Sequence, residues 1–213
     1  MTNIKADISI SLDGYVAGPK QSEENPLGVG GEQLHDWALE LKAWREPHGM
    51  EGGEENASTP VMKERTADIG AEIMGRGMFG PPGGGPWGGE PWQGWWGEDP
   101  PFHTPVFVLT HHEREPLRLS DTTFTFVTDG IGSALEQARD VAGGKDVLIS
   151  GGADVINQYL AAGLVDQVAL HVVPILLGGG ERLFSGVGPD LQLEQLRAVE
   201  APGVAHLKYR VVK

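Results

Sequence analysis

Between Ile4 and Leu12 the apolar side chains Ile4, Ala6, Ile8, Ile10 and Leu12 come at every second position, so one face of a β-strand enters a core and the strand ends at the Asp13-Gly14 turn signal. The period then changes. In LHDWALELKAW, Leu34, Trp37, Ala38, Leu41 and Trp44 fall three and four residues apart, the spacing of one amphipathic helix. Residues 45 to 60 are acidic, glycine-rich and aperiodic, which predicts a mobile surface loop. A short helix over Val61 to Thr66 leads into a strand over Gly70 to Met74. The stretch that follows, PPGGGPWGGEPWQGWWGEDPP, is too dense in Pro and Gly for a long helix or an interior strand. It predicts an irregular loop pinned by Trp87, Trp92, Trp95 and Trp96.

Regular patterns return in the second half. Strands are predicted at Val106 to Leu109, Phe124 to Val127, Val147 to Ile149 and Val168 to Val173. Between them a helix over Ile131 to Val141 turns Ile131, Ala134, Leu135, Ala138 and Val141 to one side. A second, from Ala153 to Ala162, turns Val155, Ile156, Tyr159 and Leu160 inward and stops at Gly163. The tail LEQLRAVEAPGVAHLKYRVVK reads as two strands about Ala201-Pro202-Gly203, a terminal hairpin. Strands alternating with helices predict one α/β domain over residues 1 to 213, a three-layer αβα sandwich whose mostly parallel sheet the hairpin makes mixed. Residues 19 to 60 and 81 to 101 would be irregular insertions.

Composition narrows the partners. Lys and Arg number 16 against 30 Asp and Glu, a net charge of −14, which repels nucleic acid and anionic lipid. An anionic ligand must be held by local donors in an enclosed site. There is no Cys, so disulfides and thiolate chemistry are excluded, and no His-rich spacing suggests a metal. The amino terminus lacks an apolar targeting segment and the longest apolar run is broken by His171 and Pro174, so a cytoplasmic protein with no membrane partner is expected.

Two glycine sites carry candidate chemistry. Gly75, Gly77 and Gly80 in EIMGRGMFG spell G-x-G-x-x-G, but prolines follow where a dinucleotide fingerprint needs a helix. In VLISGGADVINQYL a strand ends at Ile149-Ser150, Gly151 and Gly152 make the turn, and a helix begins at once; its free amides and dipole favour an anion there. A plain tight connection fits the same residues.

Taken in order, SISLDGYVAG, IMGR, VFVLT, ISGGADVINQYL and GLVDQVALHVVPILLGGGERLF resemble the dihydrofolate reductase superfamily, most closely the branch of the riboflavin-biosynthesis deaminase/reductase reductase domain. The resemblance implies a dihydrofolate-reductase-like fold, NADPH clasped between two loops, hydride transfer to a small planar heterocycle, and a homodimer. It implies cofactor contacts at Ala17, Gly75, Arg76, Thr110, His111, Ser150, Gly151, Gly152, Ala153 and Val155, with Gly77 to Gly80 matching the longer pattern by accident. Arg76 would supply charge-assisted donors to a phosphate. Asp13 and Tyr15, in the loop over the reacting ring, are the catalytic candidates, although Asp before Gly is also a common turn residue. Relatives in the riboflavin pathway often carry Lys where this chain has Tyr15. Trp37 and Trp87 are the expected substrate contacts, since flat aromatic faces stack on planar rings. Asp36 lies about 130° from the centre of its helix's apolar face and so faces water; Glu40 sits nearer the boundary. The alternatives are a nucleotide-binding protein without reductase activity and a partner-docking protein using the Trp/Pro-rich loop.

Overall fold

The computed structural model of the chain describes residues 2–83, 85–87 and 92–213. Its centre is a nine-stranded sheet made of β1 (Ile4–Ser11), β3 (Ile69–Gly75), β4 (Pro105–Leu109), β5 (Leu117–Leu119), β6 (Thr122–Val127), β7 (Asp146–Gly151), β8 (Gln167–Val173), β10 (Gln192–Ala201) and β11 (Val204–Val212). Across the sheet the order is β10-β11-β8-β1-β7-β3-β4-β6-β5. The six strands from β8 to β6 run parallel, while β11 pairs antiparallel with β8, β10 with β11, and β5 with β6. The mixed sheet and terminal hairpin match expectation. Edge strand β5 had no readable period, being three residues long.

The first face is covered by α5 (Gly130–Val141) and α6 (Ala153–Ala161), which pack on Ile4, Ala6, Ile10, Ala71, Ile73, Val147 and Ile149. Tyr159 is fully buried and donates its hydroxyl to Ile131 O at 2.8 Å, tying the two helices together. Val141, expected inward, is 50% exposed. The chain turns one residue later, and buried Ala142 takes the inward place because Gly70 of β3 has no Cβ to block the Ala142 carbonyl.

The second face carries short pieces instead of a continuous helical layer. The single helix expected over residues 34 to 44 is a 3₁₀ turn (Gly31–His35), α1 (Asp36–Leu39) and α2 (Lys42–Arg45). Its apolar side still faces the core, with Leu34, Trp37, Ala38 and Leu41 all buried. The break comes from the following loop: Glu54 N–H donates to Glu40 O at 2.8 Å and Lys42 N–H to Glu54 O at 2.9 Å, which holds Leu41 extended. Gly53 permits this approach, since its φ is +104° and a Cβ there would meet Lys42 backbone. α3 (Ser58–Thr66) completes this half.

The other half of the second face is the tryptophan loop. Trp87, Trp92 and Trp96 pack against Met74, Phe79, Val106, Val108 and Phe124. Their neighbourhood is closed by α4 (Arg76–Phe79), whose final carbonyls accept indole N–H groups: Trp95 donates to Met78 O at 3.0 Å and Trp92 to Phe79 O at 2.8 Å. These bonds satisfy carbonyls that a four-residue helix leaves open. Two remaining strands, β2 (Tyr15–Ala17) and β9 (Glu181–Arg182), form a separate antiparallel ladder beside the end of β1.

Candidate functional site

At the carboxyl edge of the sheet, β3 and β7 end side by side with Met74 opposite Gly151. A Cβ on Gly75 would lie 2.8 Å from Val155 Cγ2 and 3.8 Å from both Gly151 O and Gly152 N. Gly75, Gly151, Gly152 and Val155 therefore form one notch whose floor is backbone. Gly151 has φ +134°, a conformation that favours glycine, and the Gly151–Gly152 peptide is cis. Gly152 is the N-cap of α6 and no side chain caps the helix, so the amides of Ala153 and the residues after it are the free donors of its first turn. Asp154 sits in that turn, but its carboxylate accepts from Gln158 at 2.8 Å. Ser150 points the other way: buried, it donates its hydroxyl to Glu72 beneath the second face. Its hydroxyl is therefore directed away from the notch.

Gly75→Ala is expected to lower stability by about 1–3 kcal/mol, because β-branched Val155 cannot swing clear of the new methyl. Adding Val155→Ala should recover most of the loss. Thermal melts of the single and double variants check this; a single variant melting with the wild type would mean that the helix shifts freely.

Arg76 follows the notch, but its guanidinium turns into the loop. It donates to Gly80 O and, at 3.0 Å, to Pro81 O, and it lies 3.8 Å from the centroid of the Trp87 ring. Arg114 lies 4.7 Å from the same ring and 4.9 Å from Phe126. Arg76 Nε and Arg114 Nη1 are both buried without a hydrogen-bond partner. Burial depresses the pKa of both groups, and Arg114 adds repulsion at Arg76. Two guanidiniums on one indole, neither in an ion pair among the described residues, are an arrangement an anion would relieve. Arg114 carried no motif; only its position four residues after Thr110 could have drawn notice. Thr110 is buried, donates its amide to Val127 O at 3.0 Å and accepts at Oγ1 from the His112 amide at 3.2 Å. His111 is exposed, and His112 O accepts from Trp87 Nε1 at 3.0 Å.

The loop after β1 is clamped. The Asp13 carboxylate accepts from Ser11 Oγ at 2.6 Å, from Gly178 N at 2.7 Å and from Leu177 N at 3.1 Å. The Ser11 bond leads these donors in pulling its pKa to about 2. Asp13 thus serves as an anionic turn clamp, the turn role that Asp before Gly commonly takes. Tyr15 donates its amide to Ser11 Oγ at 3.0 Å, and its ring lies 5.4 Å from the Arg182 guanidinium. Ala17 is buried; Gly180, at φ +115°, lets its strand approach the Ala17 carbonyl where a Cβ would collide.

Trp37 and Trp87, expected together on a substrate, lie apart. Trp37 donates to Ser9 Oγ at 3.2 Å and packs 4.8 Å from the rings of both His171 and His206, over β1, β8 and β11. Trp87 stands 5.0 Å from Phe126 on β6, five strand steps from β8 or about 24 Å at the usual spacing. Trp87 belongs with the arginines. Trp37 lines a groove of about 300 Å³ between α1, the end of β8 and the Pro202-Gly203 hairpin turn. Asp36 and Glu40 stand exposed at its rim.

Below that groove runs a buried polar row that no sequence motif announced. Ser58 Oγ meets His206 Nε2 at 2.8 Å, His206 Nδ1 meets His171 Nδ1 at 2.8 Å, and His171 Nε2 meets Asp7 Oδ1 at 3.1 Å. Arg65 Nε donates to the same Asp7 oxygen at 2.8 Å. Ionised Asp7 only accepts, so His171 carries its proton on Nε2; His206 then donates from Nδ1 and accepts from Ser58 at Nε2. Elsewhere, Asp99, His103 and Asp121 bring their ligating atoms within 4.8 Å of one another at exposed positions.

The parallel sheet with antiparallel hairpin, and a glycine notch at its carboxyl edge, define a protein of dihydrofolate-reductase-like fold. More specifically, the chain belongs to the RibD C-terminal domain family, whose model matches residues 2–206. The Bacillus subtilis (strain 168) protein YyaP is 27% identical over 118 residues, 53% of this chain and 62% of its own length. The chain therefore spans less than two thirds of that relative. Among solved structures, a Shewanella sp. PV-4 protein assigned provisionally to riboflavin biosynthesis matches over the whole of both chains, with TM-score 0.64 and 22% identity. A Thermotoga maritima diaminohydroxyphosphoribosylaminopyrimidine deaminase/5-amino-6-(5-phosphoribosylamino)uracil reductase matches 99% of this chain and 57% of its own at TM-score 0.57 and 15% identity. These last two speak for the fold. The family is one of dihydrofolate-reductase-like NAD(P)H reductases that typically use NADPH. No described helix is long and apolar enough to cross a membrane.

Proposed function

We propose that this protein binds NADPH across the Gly75 and Gly151-Gly152 notch and reduces a small planar heterocycle. The observation that carries the reading is the notch itself: backbone walls that any side chain at Gly75 would fill, opening on the uncapped first turn of a nine-residue helix. A diphosphate suits such a place, since it accepts from free amides and lies at the positive end of the helix dipole. The orphaned nitrogens of Arg76 and Arg114 belong to guanidiniums that lie around the Trp87 ring, Arg114 also 4.9 Å from the Phe126 ring of β6, and would take a further phosphate there. When bound, the dinucleotide supplies the hydride. The chain's part is to bind it, orient the acceptor and keep water out.

Titration with NADPH and NADH by calorimetry tests this. NADPH should bind in the micromolar range, and Arg114→Ala should weaken it by about 10-fold or more while changing NADH little, the usual size of one lost charge-assisted contact. Absence of NADPH binding would end the proposal. The second reading, a nucleotide-binding protein without reductase activity, is favoured by one observation: Asp13 is held ionised. Steady oxidation of NADPH in the presence of a pteridine or pyrimidine acceptor would decide against it.

A further inference from the structure

The segment that follows β8, residues 175 to 184, is a strap across the end of β1, and one side chain fastens it to the helix behind the notch. Its own secondary structure is slight: β9 has two residues and its partner β2 three, a ladder too short to hold itself together. Ties to the loop after β1 hold it instead. Ile175 O accepts from the Leu12 amide at 3.0 Å, the Leu177 and Gly178 amides donate to the Asp13 carboxylate, and the Leu183 amide donates to Gly14 O at 3.0 Å. Arg182 adds a donation from Nη1 to Asp13 O at 3.3 Å. Strap and loop are one hydrogen-bonded assembly.

The fastening on the other side is Asn157 of α6. Its side chain is buried, Nδ2 donates to Arg182 O at 3.0 Å, and Oδ1 accepts from the Phe184 amide at 2.7 Å. Both ends of the side-chain amide are engaged, so the group has one orientation. Among the described residues these are the hydrogen bonds that join α6 to the strap. Phe184 has φ +62°, a conformation that a bulky residue keeps only where its surroundings hold it, and its amide is the one that Asn157 holds. The helix is the stiff member of the pair. Val155, Ile156, Tyr159 and Leu160 lie in the core, and the first turn supplies the notch. Asn157 stands five residues beyond the Gly152 cap, about 7.5 Å along the axis, so whatever steadies the first turn steadies Asn157.

Resting on the reductase reading above, we propose that Asn157 is a positioning residue: it ties the strap to α6, so that a diphosphate in the notch steadies the loop after β1. The coupling is reciprocal, and a steadied loop tightens the hold on the diphosphate by the same factor.

Hydrogen exchange read by NMR tests it at the Gly178 and Leu183 amides, which bond to the loop and not to the notch, with the Ile149 amide of β7 as the reference for global opening. In the free protein Asn157→Ala should speed exchange at Gly178 and Leu183 at least fivefold relative to Ile149. Saturating NADPH should slow the same two amides threefold or more in the wild type. That slowing should vanish in Asn157→Ala, although NADPH still binds through the notch amides. Asn157→Asp still accepts from the Phe184 amide and should keep part of the slowing; it carries both comparisons should Asn157→Ala not fold. A merely structural Asn157 would loosen the free strap and leave the response to NADPH as in the wild type. That result, a free strap indifferent to the substitution, or a wild-type strap indifferent to bound NADPH would each overturn the inference. Failure of NADPH to bind, with the fivefold effect in the free protein intact, would instead remove the reductase reading, and with it the notch's hold on the strap.

Discussion

Asp7→Ala will lower the free energy of unfolding by about 3–5 kcal/mol, the cost of removing one partner from a buried ion pair. Asp7 is 8% exposed and its Oδ1 takes both the Arg65 guanidinium and the His171 imidazole. Without it Arg65 has only Glu72 for company, a carboxyl that burial raises from its ordinary value and that is the poorer anionic partner of the two. The loss would take a large part of the 5–15 kcal/mol by which a domain is ordinarily stable. Asp7→Asn should cost less, since the amide oxygen still accepts one hydrogen bond although the charge is gone. Urea unfolding at neutral pH, with the slope held constant across variants, measures both. A loss under 1 kcal/mol for Asp7→Ala would show that water reaches Arg65 and His171 and that the row is wetter than its geometry implies.

The same row marks the limit of what the chain's pattern discloses. Alternation from Ile4 to Ile10 identifies the face of β1 that meets α5 and α6, and it locates the sheet correctly because burial on that face is uniformly apolar. The opposite face of β1 reads Lys5, Asp7, Ser9, Ser11, which by pattern alone is a solvated side. Asp7, Ser9 and Ser11 are buried, because α1 and α3, whose own periods do not show which strand they cover, bring Trp37 and Arg65 down upon them. His171 and His206 are 35 residues apart in sequence and face each other only through the β8–β11 pairing. The notch was more legible: glycine pairs between strand and helix are a local signal, and strand order does the rest by placing Gly75 against Gly151. Side-chain direction was not legible. Ser150 turns to Glu72 on another strand, Arg76 to the Gly80 and Pro81 carbonyls just past its own short helix, and Asp13 to Ser11 and the 177–178 amides, partners that residue type and spacing do not announce.

Acid will unfold the protein in two stages, because the row resists protons. Burial is the leading cause that takes His206 from its ordinary 6.5 to about 4, and nearby His171 adds to it. A histidine whose folded pKa is depressed binds its proton more readily when unfolded. Its contribution is therefore whole above about pH 6.5 and is lost as pH falls toward 4. Burial alone would raise Asp7, but the charges and hydrogen bonds of His171 and Arg65 outweigh it and leave the group at about 2. That contribution, about 2 kcal/mol, is present above 3.8 and disappears as pH falls through 2. Glu72 opposes the first stage, since a carboxyl raised by burial favours the folded state while protonated and loses that advantage as pH rises above 4.5. Glu72→Gln should therefore steepen the fall between pH 6.5 and 4.5. Unfolding free energies measured by urea from pH 8 to pH 3 should be flat down to about 6.5 and then drop. A wild-type curve still flat at pH 4.5 would mean that His206 takes up its proton without cost to the fold.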